Sequence, residues 1–308
     1  MAMMEPAMYP APIESLQSPT TIDEVLRQLA AAGDNDTLAL AGGMSLMQAM
    51  KARVVRPDAL VDLNGVAELR GITTEGGGLR IGAMTRYVDI ASAPKLQDGA
   101  FAAIADAARH VGDRQVRNRG TIGGSLCWNY VAACTPVAAL ATGATLVLSS
   151  LDDAGAVRTR SIAVDDFLTA PMETAREQGE LLRAVLLPGP TKQSGSAYRK
   201  WGLSAATLPV VGIGVRLSVD DQGLCKAARV AVGGVANGSQ RLIAAEDALT
   251  GLSETSDDEI AALFLAASET VEVQSDSWAT AEYRRLLIQE IGREVTLKAF
   301  QRAKKGAH

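Results

Sequence analysis

The spacing of hydrophobic positions divides the 308-residue chain into three regions with different predicted secondary structure. In the first, apolar residues recur at helical spacing behind a Thr-x-x-Glu capping box that begins at Thr21. Two short apolar runs, 37–41 and 59–63, then predict strands on either side of a short helix, and such a β–α–β unit builds a small parallel sheet. Turn-forming residues at Asn64-Gly65 predict a boundary there, so that 1–65 forms a first domain.

The second region, 66–190, mixes short strand patterns with short helical ones, which indicates an α+β unit. Its glycine-rich start, Glu75-Gly76-Gly77-Gly78, is read as part of the boundary that separates it from the first domain. The predicted strands are 79–83, 144–149, 157–162 and 181–187, and the predicted helices are 86–92, 100–108 and 136–141. A polar segment with glycine and proline, 188–196, predicts a linker to the third region.

The third region, 191–308, begins with strand patterns and ends with helical ones. Strands at 210–219 and 226–235 flank Asp220-Asp221-Gln222-Gly223, which is typical of a hairpin turn. With a further strand at 197–201, they predict a three-stranded antiparallel sheet. Helices are predicted at 242–250, 257–267 and 279–302, so this region also has the α+β fold class.

Composition excludes several classes of partner. Hydrophobic residues make up 47% of the chain and charged residues 21%, which is ordinary for a globular protein. The net charge is −5 and no dense run of Lys and Arg is present, which excludes nucleic acid and acidic membranes as expected partners. No apolar run approaches the ~18 residues of a membrane span. Residues 1–6 lack the features of a secretory signal, so cytoplasm is the expected location.

The cysteines and histidines limit the metal chemistry that this chain can support. Cys127, Cys134 and Cys225 are too few for a disulfide framework, and an iron–sulfur cluster typically needs four thiolates. Buried hydrophobic packing is the favoured interpretation of these cysteines, with a two-ligand metal site at Cys127 and Cys134 as the alternative. Histidine occurs only at positions 110 and 308, which argues against a histidine-rich metal site.

Two glycine pairs carry the candidate binding chemistry. Gly42-Gly43 and Gly123-Gly124 each follow a strand-like run and open a helix-like one. Successive backbone N–H groups at such a turn form a concave positive site for phosphate oxygens. Two loops of this design suit a dinucleotide, although neither has the G-x-G-x-x-G spacing of nicotinamide-binding folds. The alternative is that these glycines only form tight turns or permit close packing.

With their flanking residues, the glycine loops resemble the FAD-binding medium subunit of the molybdenum hydroxylases. That family includes the flavin subunits of aerobic carbon monoxide dehydrogenase and the flavin domain of xanthine dehydrogenase. The resemblance covers nearly the whole chain, and its most specific part is the eleven-residue segment 115–125. The matching segments are 41–45 with 50–53, 115–125, 174–182, 230–236 and 281–285.

The resemblance implies a two-lobed FAD-binding domain of the vanillyl-alcohol-oxidase type in lobes 1–65 and 66–190, followed by a C-terminal α+β domain in 191–308. It implies a small partner subunit with [2Fe–2S] clusters and a large partner subunit with molybdopterin. Electrons would pass through FAD to an external acceptor, which is NAD, a quinone or oxygen. The residues that it assigns to FAD are Ala41, Gly42, Gly43, Met44, Ser45, Val111, Thr121, Ile122, Gly123, Gly124, Ser125, Cys134, Leu182 and Lys200. It assigns no catalytic or metal-ligating side chain to this chain.

Two positions depart from the family pattern. Met44 stands where many relatives carry His or Asn, and Cys134 stands where a carboxylate often lies near the FAD ribose or adenine. These departures leave two alternatives open: a self-sufficient FAD-dependent oxidase or reductase, and a flavin-free assembly scaffold. Arg117 and Arg119 are candidates to neutralise a pyrophosphate. Four aromatic residues are candidates to flank the flavin ring, although core packing is the favoured interpretation of each: Trp128, Tyr130, Tyr198 and Trp201.

Overall fold

The computed structural model describes residues 12–31, 36–97 and 99–305. Residues 1–6, whose pattern argues against a secretory signal, and His308 lie outside these ranges. Within them, no helix combines the length and apolar character that crossing a membrane requires.

The first lobe is a three-stranded parallel sheet with two helices. Its elements are β1 (Ser15–Gln17), α1 (Ile22–Ala30), β2 (Thr37–Leu40), α2 (Leu46–Lys51) and β3 (Ala59–Asp62). The strand order is β1-β3-β2, with both neighbours parallel to β3, which confirms the predicted parallel sheet. The capping box is confirmed as well, because the Glu24 amide donates to Thr21 Oγ1 at 3.2 Å and the Thr21 amide donates to the Glu24 carboxylate at 3.1 Å.

The second lobe is built on a five-stranded antiparallel sheet of order β4-β5-β10-β6-β7. Its strands are β4 (Ile72–Glu75), β5 (Gly78–Gly82), β6 (Thr145–Leu151), β7 (Val157–Ala163) and β10 (Leu181–Leu187), and a small hairpin of β8 (Leu168–Ala170) and β9 (Glu173–Thr174) lies beside it. Its helices are α3 (Tyr87–Ser92), α4 (Ala102–His110), α5 (Arg114–Arg119), α6 (Ile122–Trp128), α7 (Cys134–Thr142) and α8 (Val164–Phe167). All four predicted strands and three predicted helices are confirmed, with ends that match or differ by at most two residues.

The prediction was wrong about the glycines near residue 76. Gly76 and Gly77, both with positive φ, form the tight turn between β4 and β5 within the sheet. Glycine adopts these angles without the steric cost that other residues incur. The turn therefore belongs to a hairpin inside the second lobe and does not separate two lobes.

The C-terminal region contains a sheet of order β11-β12-β13-β14, with every neighbouring pair antiparallel. Its elements are β11 (Ser194–Trp201), β12 (Val211–Val219), β13 (Cys225–Gly233), β14 (Gln240–Arg241), α9 (Ile243–Leu249), α10 (Asp257–Ser268) and α11 (Ala281–Lys305). The three predicted strands are present, and the two-residue β14 adds a fourth. The predicted linker 188–196 extends too far, because Ser194 already pairs in β11. A Cβ at Gly195 would lie 2.2 Å from the Ala299 carbonyl oxygen, so glycine permits α11 to pack against this strand.

A buried charge joins the C-terminal helix to the second lobe. Asp106 of α4 is 5% exposed and accepts a hydrogen bond from the Arg302 guanidinium at 3.1 Å and one from the Tyr198 amide at 3.3 Å. Burial raises the pKa of Asp106, but Arg302, Lys298 and the Tyr198 amide together outweigh burial and leave that pKa below its ordinary value. Asp106 and Arg302 therefore form a charged connection between α4 and α11, across the start of β11.

Candidate functional site

The first glycine loop presents backbone donors that the protein itself does not use. Within the described residues, the amides from Gly42 to Ser45 donate to no protein acceptor. Gly43 has φ +73°, and Ser45 begins α2 without a hydrogen bond from its side chain. Met44 is 37% exposed, so this loop faces outward. Unused amides in a turn of this kind form a concave donor surface for an anion.

The two glycine loops lie in direct contact. A Cβ built on Gly42 would lie 2.2 Å from the Arg119 carbonyl oxygen and 2.9 Å from the Cα of Gly120. A Cβ on Gly124 would lie 3.4 Å from the Ala41 side chain. The fold thus brings together two segments that are about eighty residues apart in sequence, as a shared ligand requires.

The second loop differs in detail from the sequence prediction. The segment before it is helix α5 rather than a strand, and the glycine pair lies inside the first turn of α6 without positive φ. Its amides are already used: Ile122 donates to Thr85 O at 3.2 Å, Gly123 to Ala83 O at 2.9 Å, and Gly124 to Thr121 Oγ1 at 3.1 Å. Three of its amides thus already have protein acceptors, and the predicted contact of this loop with a phosphate stays a prediction.

Close packing explains why glycine occupies the second loop. A Cβ on Gly123 would lie 2.7 Å from the Cβ of Ala83, which follows β5. Thr121 caps α6 and is itself buried, and Arg86 pairs with it through an isolated β-bridge. The second loop therefore packs closely against the first loop and against the end of β5, and the unused backbone donors described above belong to the first loop.

The Arg117 guanidinium binds backbone carbonyls at the end of α4. Its Nη1 donates to the carbonyl oxygens of Val111 and Gly112 at 3.0 and 2.9 Å, so it caps the C-terminal end of α4. Val111 is thereby connected to α5 through its backbone. Arg119 is exposed, and its carbonyl oxygen lies against Gly42 of the first loop.

Lys200 and Cys134 form a second group of the predicted residues. Lys200 of β11 is 7% exposed and donates to the Thr207 carbonyl, and within the described chain it pairs with no carboxylate. Burial, together with the positive charge of Arg117, lowers its pKa despite an opposing effect of Cys134. Cys134 begins α7 and is 5% exposed, and burial raises the pKa of its thiol while Lys200 opposes that rise. The buried Lys200 ammonium and the Cys134 thiol thus interact electrostatically, where α7 packs beside β11.

A further predicted residue, Leu182, lies in the apolar core of the second lobe, in the same cluster of buried residues as Cys134 and Ile122. It is 4% exposed in β10 and packs into the core of the second lobe next to a register shift in the sheet. Cys225 is also buried in a core, whereas Cys127 is half-buried with its pKa raised by burial to about 11. Together with Cys134, these thiols fit the favoured interpretation as packing residues.

The four aromatic candidates lie in different environments. Tyr198 is fully buried beside His110, with ring centroids 5.9 Å apart, and Trp201 packs edge-on against Tyr283. Trp128 packs against the apolar cluster around α2, and Tyr130 is 38% exposed. Packing accounts for Tyr198, Trp201 and Trp128, whereas Tyr130 stays a candidate to flank the flavin ring.

Asn129 is a structural residue that the sequence reasoning missed. It ends α6 in the left-handed conformation, with φ 42°, and its Nδ2 donates to Ala170 O at 2.8 Å and Glu173 O at 2.9 Å. Asparagine tolerates this conformation better than most residues, which is the one local signal that was available. Asn129 attaches the helix of the second loop to the β8–β9 hairpin.

Comparison with known proteins agrees with this architecture. Residues 12–190 match the family model described as the FAD binding domain in molybdopterin dehydrogenase, and residues 196–299 match the CO dehydrogenase flavoprotein C-terminal domain. The nicotine 6-hydroxylase medium subunit of Paenarthrobacter nicotinovorans is 31% identical over 286 residues, which cover 92% of this chain and 96% of that subunit.

Solved structures show the same similarity. A chain of carbon monoxide dehydrogenase from Hydrogenophaga pseudoflava superimposes with a TM-score of 0.87 at 31% identity, covering 96% of this chain and 99% of that one. A chain of quinoline 2-oxidoreductase from Pseudomonas putida 86 gives a TM-score of 0.83 at 30% identity, covering 98% and 100%. By two family models, sequence identity and fold, the chain belongs to the FAD-binding medium subunits of the molybdenum hydroxylases, and it is an oxidoreductase subunit with a FAD-binding domain.

Proposed function

We propose that this chain binds one FAD non-covalently and passes electrons from the [2Fe–2S] clusters of a partner subunit to an external acceptor. The main support for a FAD site is the run of unused backbone amides from Gly42 to Ser45, in a loop that contacts the second glycine loop. Hydrogen bonds to a charged group contribute roughly 1.5–3 kcal/mol each, so several such donors offset the cost of immobilising a large ligand.

The residues of this chain would bind and orient the cofactor rather than react. Backbone amides of the first loop would hold the pyrophosphate, and the second loop, Thr121 to Ser125, would line the same site from the side against which the first loop packs. Lys200 would provide a buried positive charge near Cys134. When bound, FAD supplies the electron-transfer chemistry, so no protein nucleophile is needed.

We also propose the partners and the division of the chain. The nicotine 6-hydroxylase relative is named as a medium subunit, which supports a complex with a small iron–sulfur subunit and a large molybdopterin subunit. The acceptor would be NAD, a quinone or oxygen. Divisions at residues 65 and 190 are supported by the sheets, because each of the three larger sheets draws all its strands from one of the three proposed parts. Three unpaired cysteines favour a reducing compartment, which supports a cytoplasmic location.

Purification of the chain with and without its partners tests the proposal. The chain alone should be yellow and should release FAD on acid denaturation. In the assembled complex, the organic substrate should bleach the visible absorbance of the flavin, whereas the lone metal-free chain should show no bleaching. Catalytic bleaching of the lone chain would instead establish a self-sufficient oxidase. A colourless chain that takes up no FAD would leave the scaffold alternative.

A further inference from the structure

Two of the motifs in the sequence take no part in the glycine-loop site. Residues 281–285, Ala-Glu-Tyr-Arg-Arg, begin α11, and residues 230–236, Val-Ala-Val-Gly-Gly-Val-Ala, form the end of β13 and the turn after it. The structure brings these two motifs into contact. Their meeting point lies at the base of the segment 202–209, which joins β11 to β12.

Arg284 is the centre of this contact. It is 6% exposed, and its Nη1 donates to the carbonyl oxygens of Val210 and Gly234, the latter at 3.0 Å. Its Nη2 donates to the Asp276 carboxylate at 2.5 Å. One planar guanidinium thus binds the start of β12, the turn after β13 and the segment before α11.

Gly234 makes this arrangement possible. Its φ is +81°, and a Cβ at this position would lie 2.3 Å from the Val210 carbonyl oxygen. Any other residue would separate the two carbonyls that Arg284 binds together. The glycine of one motif and the arginine of the other therefore act as a single unit.

Tyr283 holds the opposite end of the same segment. Its ring packs edge-on against Trp201, with centroids 5.4 Å apart at 86°. Trp201 is the last residue of β11, and its carbonyl accepts from the Val210 amide at 2.8 Å. Adjacent residues of α11 therefore hold the two stems of the segment 202–209.

The tip of the segment is connected to the buried lysine. Lys200 Nζ donates to the Thr207 carbonyl, and Thr207 Oγ1 donates to Ser204 O at 2.9 Å. Leu203 and Leu208, by contrast, are 54% and 58% exposed and contribute little burial. The position of the segment therefore depends on its stems and on Lys200 rather than on a hydrophobic core.

We infer that Tyr283 and Arg284 are positioning residues, which hold the stems of the segment 202–209 so that the Thr207 carbonyl keeps the Lys200 ammonium in place beside Cys134. The expected effect on the flavin spectrum rests on the proposed function, since Lys200 affects FAD only if FAD binds to this chain. The effect on the segment itself can be measured on the chain without FAD.

The test compares Arg284→Lys and Tyr283→Ala with Arg285→Lys. Arg285 is the matched control, because it is the next residue of the same helix and pairs with Glu269 at 3.1 Å, away from the segment. Lysine at position 284 keeps the charge but cannot donate to all three acceptors in a fixed plane. Tyr283 is 36% exposed, so its replacement leaves the core intact should the Arg284 variant fail to fold.

Hydrogen exchange of peptides covering 201–210 in the FAD-free chain is the first readout. Exchange should become about tenfold faster in both variants and stay unchanged in Arg285→Lys. The second readout is the visible spectrum of the bound flavin, with Lys200→Met as reference. The Arg284 and Tyr283 variants should shift the spectrum in the same direction as Lys200→Met.

Unchanged exchange in both folded variants would overturn the positioning role. Faster exchange without any spectral change, when Lys200→Met does change the spectrum, would overturn the connection to Lys200. If the wild-type chain takes up no FAD, the proposed function fails, and the exchange experiment alone decides whether Tyr283 and Arg284 position the segment.

Discussion

Replacing Gly42 by alanine should abolish tight FAD binding while leaving the chain folded. The added Cβ would lie 2.2 Å from the Arg119 carbonyl oxygen, whereas ordinary contact begins at 3.4 Å. The two loops must therefore separate by about 1.2 Å, because the obstacle is backbone and cannot rotate away. Such a shift would misalign the amides of the first loop with the pyrophosphate.

The magnitude follows from the number of donors lost. A hydrogen bond to a charged group contributes roughly 1.5–3 kcal/mol, so misaligning two of them costs about 3–6 kcal/mol. That loss raises the FAD dissociation constant by about 140- to 20,000-fold. Gly43→Ala is a milder change, because its Cβ meets only side chains, Met47 at 3.2 Å and Leu40 at 3.5 Å, and adds strain of about 1–2 kcal/mol at positive φ.

Titration of the FAD-free variants by calorimetry, beside thermal unfolding, measures both effects. Gly155→Ala is the control for backbone strain, since Gly155 has φ +78° and no atom within 4 Å of its Cβ position. It should lose stability to a similar extent as Gly43→Ala and bind FAD as the wild type does. A folded Gly42→Ala variant with wild-type affinity would show that the pyrophosphate does not lie on the first loop.

Three further substitutions test the surroundings of the site. Cys134→Asp should be tolerated beside Lys200 but should destabilise the chain when combined with Lys200→Met. A double-mutant cycle should give a coupling energy of about 1–3 kcal/mol between the two positions. Additive effects of the two substitutions on thermal unfolding would contradict this pairing. Asn129→Ala should lower the free energy of unfolding by about 1–2 kcal/mol more than Asn129→Gly does. Both variants lose the side-chain hydrogen bonds, but only alanine is strained at φ 42°. Equal melting temperatures of the two variants would count against the strain argument. Asp106→Asn should lower the free energy of unfolding in urea. Because the folded-state pKa of Asp106 lies below its ordinary value of 3.8, its contribution is complete above that value and disappears as pH falls through the folded-state pKa. The difference between wild type and Asp106→Asn should thus shrink in acid, and a constant difference would refute the role of Arg302.

The sequence alone predicted most of the elements that position the site, because their patterns are local. The parallel unit around Gly42, the strand 181–187 and the hairpin at Asp220 each carry their own periodicity or turn residues. The short strands β1 and β14 escaped prediction, since three or two residues show no period. Their pairing depends on neighbours supplied by the folded chain.

The chemistry of the second loop was beyond sequence reasoning for a different reason. Whether the Gly123 amide is free depends on the Ala83 carbonyl, which lies 40 positions earlier and reaches the loop only through the sheet. A glycine pair looks the same whether it binds an anion or permits close packing. The proximity of Lys200 to Cys134 likewise arises from the packing of β11 beside α7.

The connection between Asp106 and Arg302 has a consequence for how the chain is made. The two residues are 196 positions apart, so at ribosomal rates of 5–20 residues per second Arg302 is synthesised about 10–40 s after Asp106. During that interval the carboxylate has only the exposed Arg109 of the same helix as a guanidinium partner, and burying it without Lys298 and Arg302 would favour its protonated form. The face of α4 that later receives β11 is therefore expected to remain hydrated in the nascent chain. Docking of the C-terminal helix would then be the late step that excludes water from this surface and completes the native fold.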